Sequence, residues 1–338
     1  MGSLWDGKRH GQGVLREKGD KYEDDWKDGK RHGQGTFLWS SGRQYEGEWK
    51  NGTCHGYGVS VGTAGDRYEG DWENGIRHGQ GKIAWPGGIQ YEGGWRNGQF
   101  HGQGEAVWAN GDKYSGIWRN GRPAGGTFVW ANGDKYDGEW SDGYRQGRGV
   151  KIWANGDRYE GPWREGLESG HGVLTKSDGG KYEGNWKKGK QSGKGASVEG
   201  NGDKYEGEWK EGKPHGTGAK AWANGERYTG NWIKGKQHGQ GSAVETNGDT
   251  YKGKWRNGRR EGRGIYTWTN KNFYEGEWKG GNISGHGALH FANGETCEGD
   301  WKENRLIDKG TATRNGKAVS CEIKRGKIVY SKLETKID

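Results

Sequence analysis

The chain has little from which to build an ordinary globular core. Of its 338 residues only 28% are hydrophobic, and the mean hydropathy is -1.28. A chain of this length would otherwise be read as two compact domains, and the scarcity of apolar residues argues against that. No stretch is apolar enough to cross a bilayer as a helix, and the N-terminus lacks a signal-peptide pattern. Met1-Gly2 invites a myristoylation check, but Asp6 stands where that motif requires Ser or Thr. Lys336-Ile337-Asp338 carries neither a prenylation nor a retention signal. Cysteine is equally sparse. Cys54, Cys297 and Cys321 are odd in number and fit neither a disulfide framework nor a zinc site, so a reducing, cytoplasmic compartment is expected.

What abounds is Gly (73), Trp (21) and Tyr (16). Glycine at that level would suit a disordered polymer, but the aromatics stand on a grid. A tyrosine, a Gly two residues on and a Trp four residues on recur from Tyr22 to Tyr274, as in Tyr45-Glu46-Gly47-Glu48-Trp49 and Tyr205-Glu206-Gly207-Glu208-Trp209. Successive tyrosines are 23 residues apart, except that Tyr114 to Tyr136 is 22. Such a period marks a repeat array.

Each unit reads as two short antiparallel strands and two tight turns. Asn-Gly pairs such as Asn110-Gly111 and Asn224-Gly225 mark one turn, and Asn51-Gly52 or Glu211-Gly212 the other. Alternation puts Tyr, Gly and Trp on one face and charged residues such as Glu206 and Glu208 on the other. The Gly between the rings leaves room for an aromatic ring to lie flat on the backbone. A Gly-x-Gly on the returning strand, as in Gly33/Gly35 and Gly239/Gly241, reads as a sharp bend. The 22-residue step coincides with its shrinkage to Gly125-Gly126. The expected fold is all-β: an elongated, single-sheet antiparallel hairpin meander of about fourteen units, roughly 130 Å long at about 4.8 Å per strand.

The array spans 1–296, with a partial unit over 1–21. Residues 297–338 read as degenerate units and a C-terminal cap: Cys297 stands in the tyrosine slot, and Lys327-Ile328-Val329-Tyr330 reads as a last strand.

With these residues in view, the pattern Y-x-G-x-W-x-x-G-x-x-x-G-x-G resembles the MORN (membrane occupation and recognition nexus) repeat from Trp5 to about Gly310. The resemblance implies a twisted rod of β-hairpins and scaffold roles near membranes and the cytoskeleton, including ciliary and flagellar (axonemal) assemblies. It also implies dimers joined through a terminal unit. In family enzymes the repeats precede a separate kinase or methyltransferase domain, so the resemblance of these repeats implies no catalytic activity of their own.

Chemistry is sparse. His32, His55, His78, His101, His215 and His238 share one phase of the repeat, but neighbouring copies would be about 9–10 Å apart. Metal ligands each lie about 2 Å from the ion, so no metal site is expected. Paired carboxylates such as Glu46/Glu48 recur in many equivalent, solvated copies, whereas acid–base catalysis needs one special pair. There is no nucleophile motif or Walker loop. The expectation is a non-enzyme without cofactors. Nucleic acid is disfavoured because acidic residues are interspersed with the basic ones.

Two binding readings remain. A further aromatic near the end of the returning strand is optional. Trp39, Trp85, Trp108, Trp130, Trp153, Trp222 and Trp268 hold that place in some units, and Gly62, Lys176, Glu199 and Glu245 in others. Optional rings are candidates for exposed contact with a protein partner, and core filling is the alternative. The other reading starts from charge. Residues 170–338 carry 31 Lys+Arg and 21 Asp+Glu, out of 54 and 45 in all. An anionic phospholipid (phosphoinositide) surface would meet Lys187, Lys188, Lys190, Lys194, Lys252, Lys254, Arg256, Arg259, Arg260 and Arg263.

Overall fold

The computed structural model describes residues 3–331. Met1-Gly2, Lys336-Ile337-Asp338 and the end of the expected cap lie outside the described residues. The described residues form strands and turns only, with no helix. They divide between Leu167 and Glu168 into two compact units. Within each, consecutive strands pair antiparallel with their chain neighbours. Gln44–Lys50 pairs with Thr53–Val61, which pairs with Arg67–Glu73. Lys204–Lys210, Lys213–Ala221 and Arg227–Ile233 repeat the arrangement in the second unit. The fold is an antiparallel hairpin meander.

The hairpin follows from its sequence. In Gln44–Lys50 the side chains alternate strictly, with Tyr45, Gly47 and Trp49 buried. Asn51 and Gly52 both take positive φ (52° and 91°), the geometry a two-residue hairpin turn requires. On the return, Gly58 faces Gly47 and Cys54 faces Trp49, so Glu48 alone opposes His55, Gly56 and Tyr57. This is a bulge of three residues against one, and it is where the strand bends. In the unit one residue shorter, Ile117 faces Gly125 and Trp118 faces Pro123, leaving only Ala124 unpaired. The missing residue has come out of the bulge.

Packing explains the glycines. A Cβ on Gly58 would lie 2.3 Å from the hydroxyl oxygen of Tyr45, and one on Gly218 equally close to that of Tyr205. The tyrosine ring occupies that volume and is itself 0% exposed at Tyr45. Its hydroxyl donates to the carbonyl of the residue before the next Trp, as Tyr45 does to Glu48 at 2.9 Å. From Trp26 on, each ladder tryptophan except Trp140 donates its indole N–H to a glycine carbonyl of the preceding hairpin, as Trp49 does to Gly35 at 2.9 Å and Trp232 to Gly218 at 3.0 Å. The Tyr and Trp rings of the ladder do not lie flat on one another. Tyr45 is 5.1 Å from Trp49 and 5.4 Å from Trp72, at interplanar angles of 86° and 88°. Edge-to-face contact directs the positive ring edge at a neighbour's negative face, which flat stacking cannot do.

The cysteine expectation is corrected here. Cys297 and Cys321 form a disulfide with Cα atoms 6.0 Å apart. Cys297 occupies the tyrosine phase and Cys321 pairs across from Gly310. A Cβ on Gly310 would lie 2.9 and 3.0 Å from the two sulfurs, so the disulfide fills the volume that a tyrosine ring fills elsewhere. Hairpin register brings together residues 24 apart in sequence, a proximity that spacing alone does not reveal. With the bond formed, the cysteines no longer argue for a reducing compartment. Cys54 remains a buried free thiol, its pKa pushed up to about 11 by burial.

Candidate binding faces

The aromatic face is built on the Tyr–Trp ladder and closed at one end of each hairpin by a loop. In the loop after Gln99–Val107, the Trp108 amide donates to the Asp112 carbonyl and the Gly111 amide to the Trp108 carbonyl. The optional tryptophan therefore heads the loop. Asp112 then ties this loop to the next, accepting the Ala131 amide at 2.8 Å. Asp134 and Asp203 accept from Ala154 and Ala223 in the same way. The Ala223 amide, with Lys220 assisting against burial, holds the Asp203 carboxyl below its ordinary range. These aspartates act as inter-hairpin ties, where the sequence pattern indicated only turns.

Trp39, Trp85, Trp108, Trp130, Trp153, Trp222 and Trp268 are all half-buried. Trp39, Trp85 and Trp108 pack against the ladder, so they are neither freely exposed nor core. Trp108 and Trp130 flank Phe128, at 5.3 and 4.6 Å. Lys151 lies between Trp130 and Trp153, 5.2 and 5.1 Å from their centroids, and pairs with Asp134 at 3.0 Å. In three of the slots without tryptophan, charge takes its place. Lys176 and Glu199 pair at 2.7 Å, and Glu245 accepts from Tyr266 at 2.9 Å and from Arg260.

Arg260 is placed differently from the other nine cations of the lipid set. Its guanidinium stacks over Tyr266, Trp278 and Tyr251, at 4.5, 5.1 and 5.4 Å, and pairs with Glu245. It belongs to the aromatic face and is committed to partners there. Arg31, Arg77 and Arg145 hold the same phase and cover their own ladder rings. The signal was present, since each stands five residues after a Trp, but strand parity through a bulge is not readable from spacing. The other nine cations are exposed. Lys194, Lys252, Lys254 and Arg263 lie along strands, with Lys194 opposite Glu208 and Arg263 opposite Glu277. Lys187, Lys188, Lys190, Arg256 and Arg259 stand at hairpin tips.

Of the paired carboxylates, one member has a structural task. Glu208 accepts the Thr217 amide at 3.0 Å and its hydroxyl at 2.7 Å, capping the bulge opened at Gly216. Asp71 does the same for the Gln80 amide at 2.8 Å. Of the repeated histidines, His32, His55, His78 and His101 sit within such bulges, whereas His215 and His238 pair at the bulge edge with Glu208 and Asn231. Among the described residues no group of three or more His, Cys, Asp or Glu is placed to hold a metal.

A sequence model of the MORN repeat matches thirteen consecutive segments, from residues 1–21 and 25–42 through 251–273 and 274–296. The chain belongs to the MORN repeat family. No curated protein sequence matches it. Solved structures similar to this MORN protein include the SAS-4 (dCPAP) TCP domain of Drosophila melanogaster in complex with a proline-rich motif of Ana2. That match has 10% identity and a TM-score of 0.30, over 46% of this chain and 85% of that one. The TCP10 domain of Danio rerio CPAP matches at 10% identity over 71% and 93%, with a TM-score of 0.18. Virginiamycin B lyase from Staphylococcus aureus matches at 12% identity over 89% and 84%, with a TM-score of 0.14. At such scores these likenesses carry no functional argument. No helix among the described residues is long and apolar enough to cross a membrane.

Proposed function

We propose that this MORN protein is a non-catalytic scaffold that binds a protein partner on its aromatic face, within a cytoskeletal or ciliary and flagellar assembly. The observation that carries the reading is the run of half-buried tryptophans over four successive hairpins, Trp85, Trp108, Trp130 and Trp153. They present large, rigid apolar area at low entropic cost, the property that makes tryptophan an anchor in interfaces. Repeat membership supports the scaffold role, and the place of action follows from what MORN proteins imply.

The test pairs imaging of the tagged protein with recovery of its partner, for the native chain and for Trp130→Ser/Trp153→Ser. The variant should lose both the partner and the cytoskeletal location while keeping its β-sheet circular dichroism. Full retention of the partner would remove the aromatic face from consideration. The second reading is peripheral association with anionic lipid, favoured by the excess of cations in 170–338. Flotation with phosphoinositide vesicles at low salt tests it, and absence of binding ends it.

A further inference from the structure

The positive charge of the second unit is gathered on one edge. A hairpin tip runs from the residue after each ladder Trp to the fourth beyond it. The six tips at 187–190, 210–213, 233–236, 256–259, 279–282 and 302–305 carry twelve Lys and Arg against two Glu. All twelve cations are exposed. The eight tips of the first unit, from 6–9 to 164–167, carry nine cations and five acids.

The row is fixed in register by the backbone. The Gly212 amide donates to the Gln191 carbonyl, Gly235 to Pro214, Gly258 to Gln237 and Asn304 to Ile283, at 2.8–3.0 Å. Tips two strands apart repeat at about 9.6 Å, so the six span about 48 Å. One tip-to-tip contact, Lys190 with Glu211 at 2.7 Å, shows a carboxylate already seated against the row.

We infer that this edge is a docking surface for an acidic, extended polypeptide segment of a partner. Three residues of extended chain cover about 10 Å, so carboxylates at every third position meet successive tips, and about 15 residues cover the row. Charge complementarity selects the occupant class, and composition selects within it. Nine of the twelve cations are Lys, flexible point charges, whereas bidentate phosphate recognition favours Arg. Binding of single-stranded nucleic acid draws on exposed aromatics for stacking, and these tips have none. A membrane plane would meet a single row along one line. Ile233, 41% exposed, is the one large apolar side chain these tips offer as an anchor. The inference stands apart from the aromatic-face reading, because the tips lie on a different surface.

The test is fluorescence anisotropy of a labelled polyglutamate of about 15 residues with the full chain. The variants are Lys213→Glu/Lys236→Glu at the tips and Lys252→Glu/Lys254→Glu along a strand. Both pairs change the charge equally and keep exposed positions. Tip reversal should weaken binding about tenfold or more, and strand reversal about twofold or less. Binding by the native chain should fall steeply with added salt. The Trp130→Ser/Trp153→Ser protein should bind the peptide as the native chain does. Equal weakening by both reversals, or no binding at low salt, overturns the inference. So does tighter, tip-dependent binding of phosphatidylserine vesicles or of an oligo-dT strand.

Discussion

The two units use one hairpin and finish its surface differently. In the first, the slot at the head of the loop is aromatic in Trp39, Trp85, Trp108, Trp130 and Trp153, with Gly62 the exception. In the second the same slot reads Lys176, Glu199, Trp222, Glu245, Trp268 and Phe291. Charges there are paired within the face, Lys176 with Glu199 and Arg260 with Glu245. The hairpin tips differ in the opposite sense, mixed in the first unit and almost uniformly basic in the second. The Tyr, Gly and Trp of the ladder specify the hairpin, which leaves the loop head and the tips free to diverge. One unit has become an apolar face and the other a cationic edge.

Alkali gives the largest effect and should treat the two units alike. Burial pushes Tyr91 in the first unit, and Tyr182, Tyr205, Tyr228 and Tyr274 in the second, up to about 12. It raises Tyr45 and Tyr251 further. A raised folded-state pKa means that this stability is fully present below the unfolded value of about 10 and is lost as pH climbs through the folded one. Circular dichroism and tyrosinate absorbance should therefore change together above about pH 10 in both units. A half that keeps its β signal while its tyrosines ionise would break the equivalence.

Glycine substitution comes next. Gly58→Ala and Gly218→Ala each drive a Cβ into a buried tyrosine ring and should cost about 3 kcal/mol or more in denaturant unfolding. Gly125→Ala, with nothing nearer than the Gly138 carbonyl at 3.9 Å, should stay within about 1 kcal/mol. Equal losses at Gly58 and Gly125 would show that the ring does not set the penalty.

The smallest effect probes the short step. The Trp118 indole donates to the Gly104 carbonyl at 3.1 Å, whereas the buried Nε1 of Trp140 has no acceptor. Its ring also stands off at 6.4 Å from Tyr114, against 5.4 Å between Tyr91 and Trp118. Trp118→Phe should cost about 1 kcal/mol more than Trp140→Phe, the worth of one hydrogen bond. A larger loss at Trp140 would mean that the deletion has been absorbed without harm.

Much of this was legible in the chain because the repeat is locally coded. Period, alternation and Asn-Gly turns give strands such as Gln44–Lys50 and the bend at Gly-x-Gly, and the 22-residue step points to its own missing bulge residue. Arg260 was not legible, because a bulge of unknown width resets which side a residue faces. The same holds for Glu208, whose place on the solvent side concealed its grip on the Thr217 amide. Lys187, Lys188, Lys190, Arg256 and Arg259 already stood in the lipid set, but the row they belong to was not legible, because its cations are scattered in sequence and align only when hairpins are laid side by side.

The sequence alone determined that this protein is a MORN array of β-hairpins, since every unit repeats the same short-range instructions. Tertiary structure decided what register decides. It set the rings edge to face, joined Cys297 to Cys321 across Gly310, turned Arg260 inward and aligned the lysines along one edge. Each of these depends on distances between strands, and such distances exist only once the chain has folded.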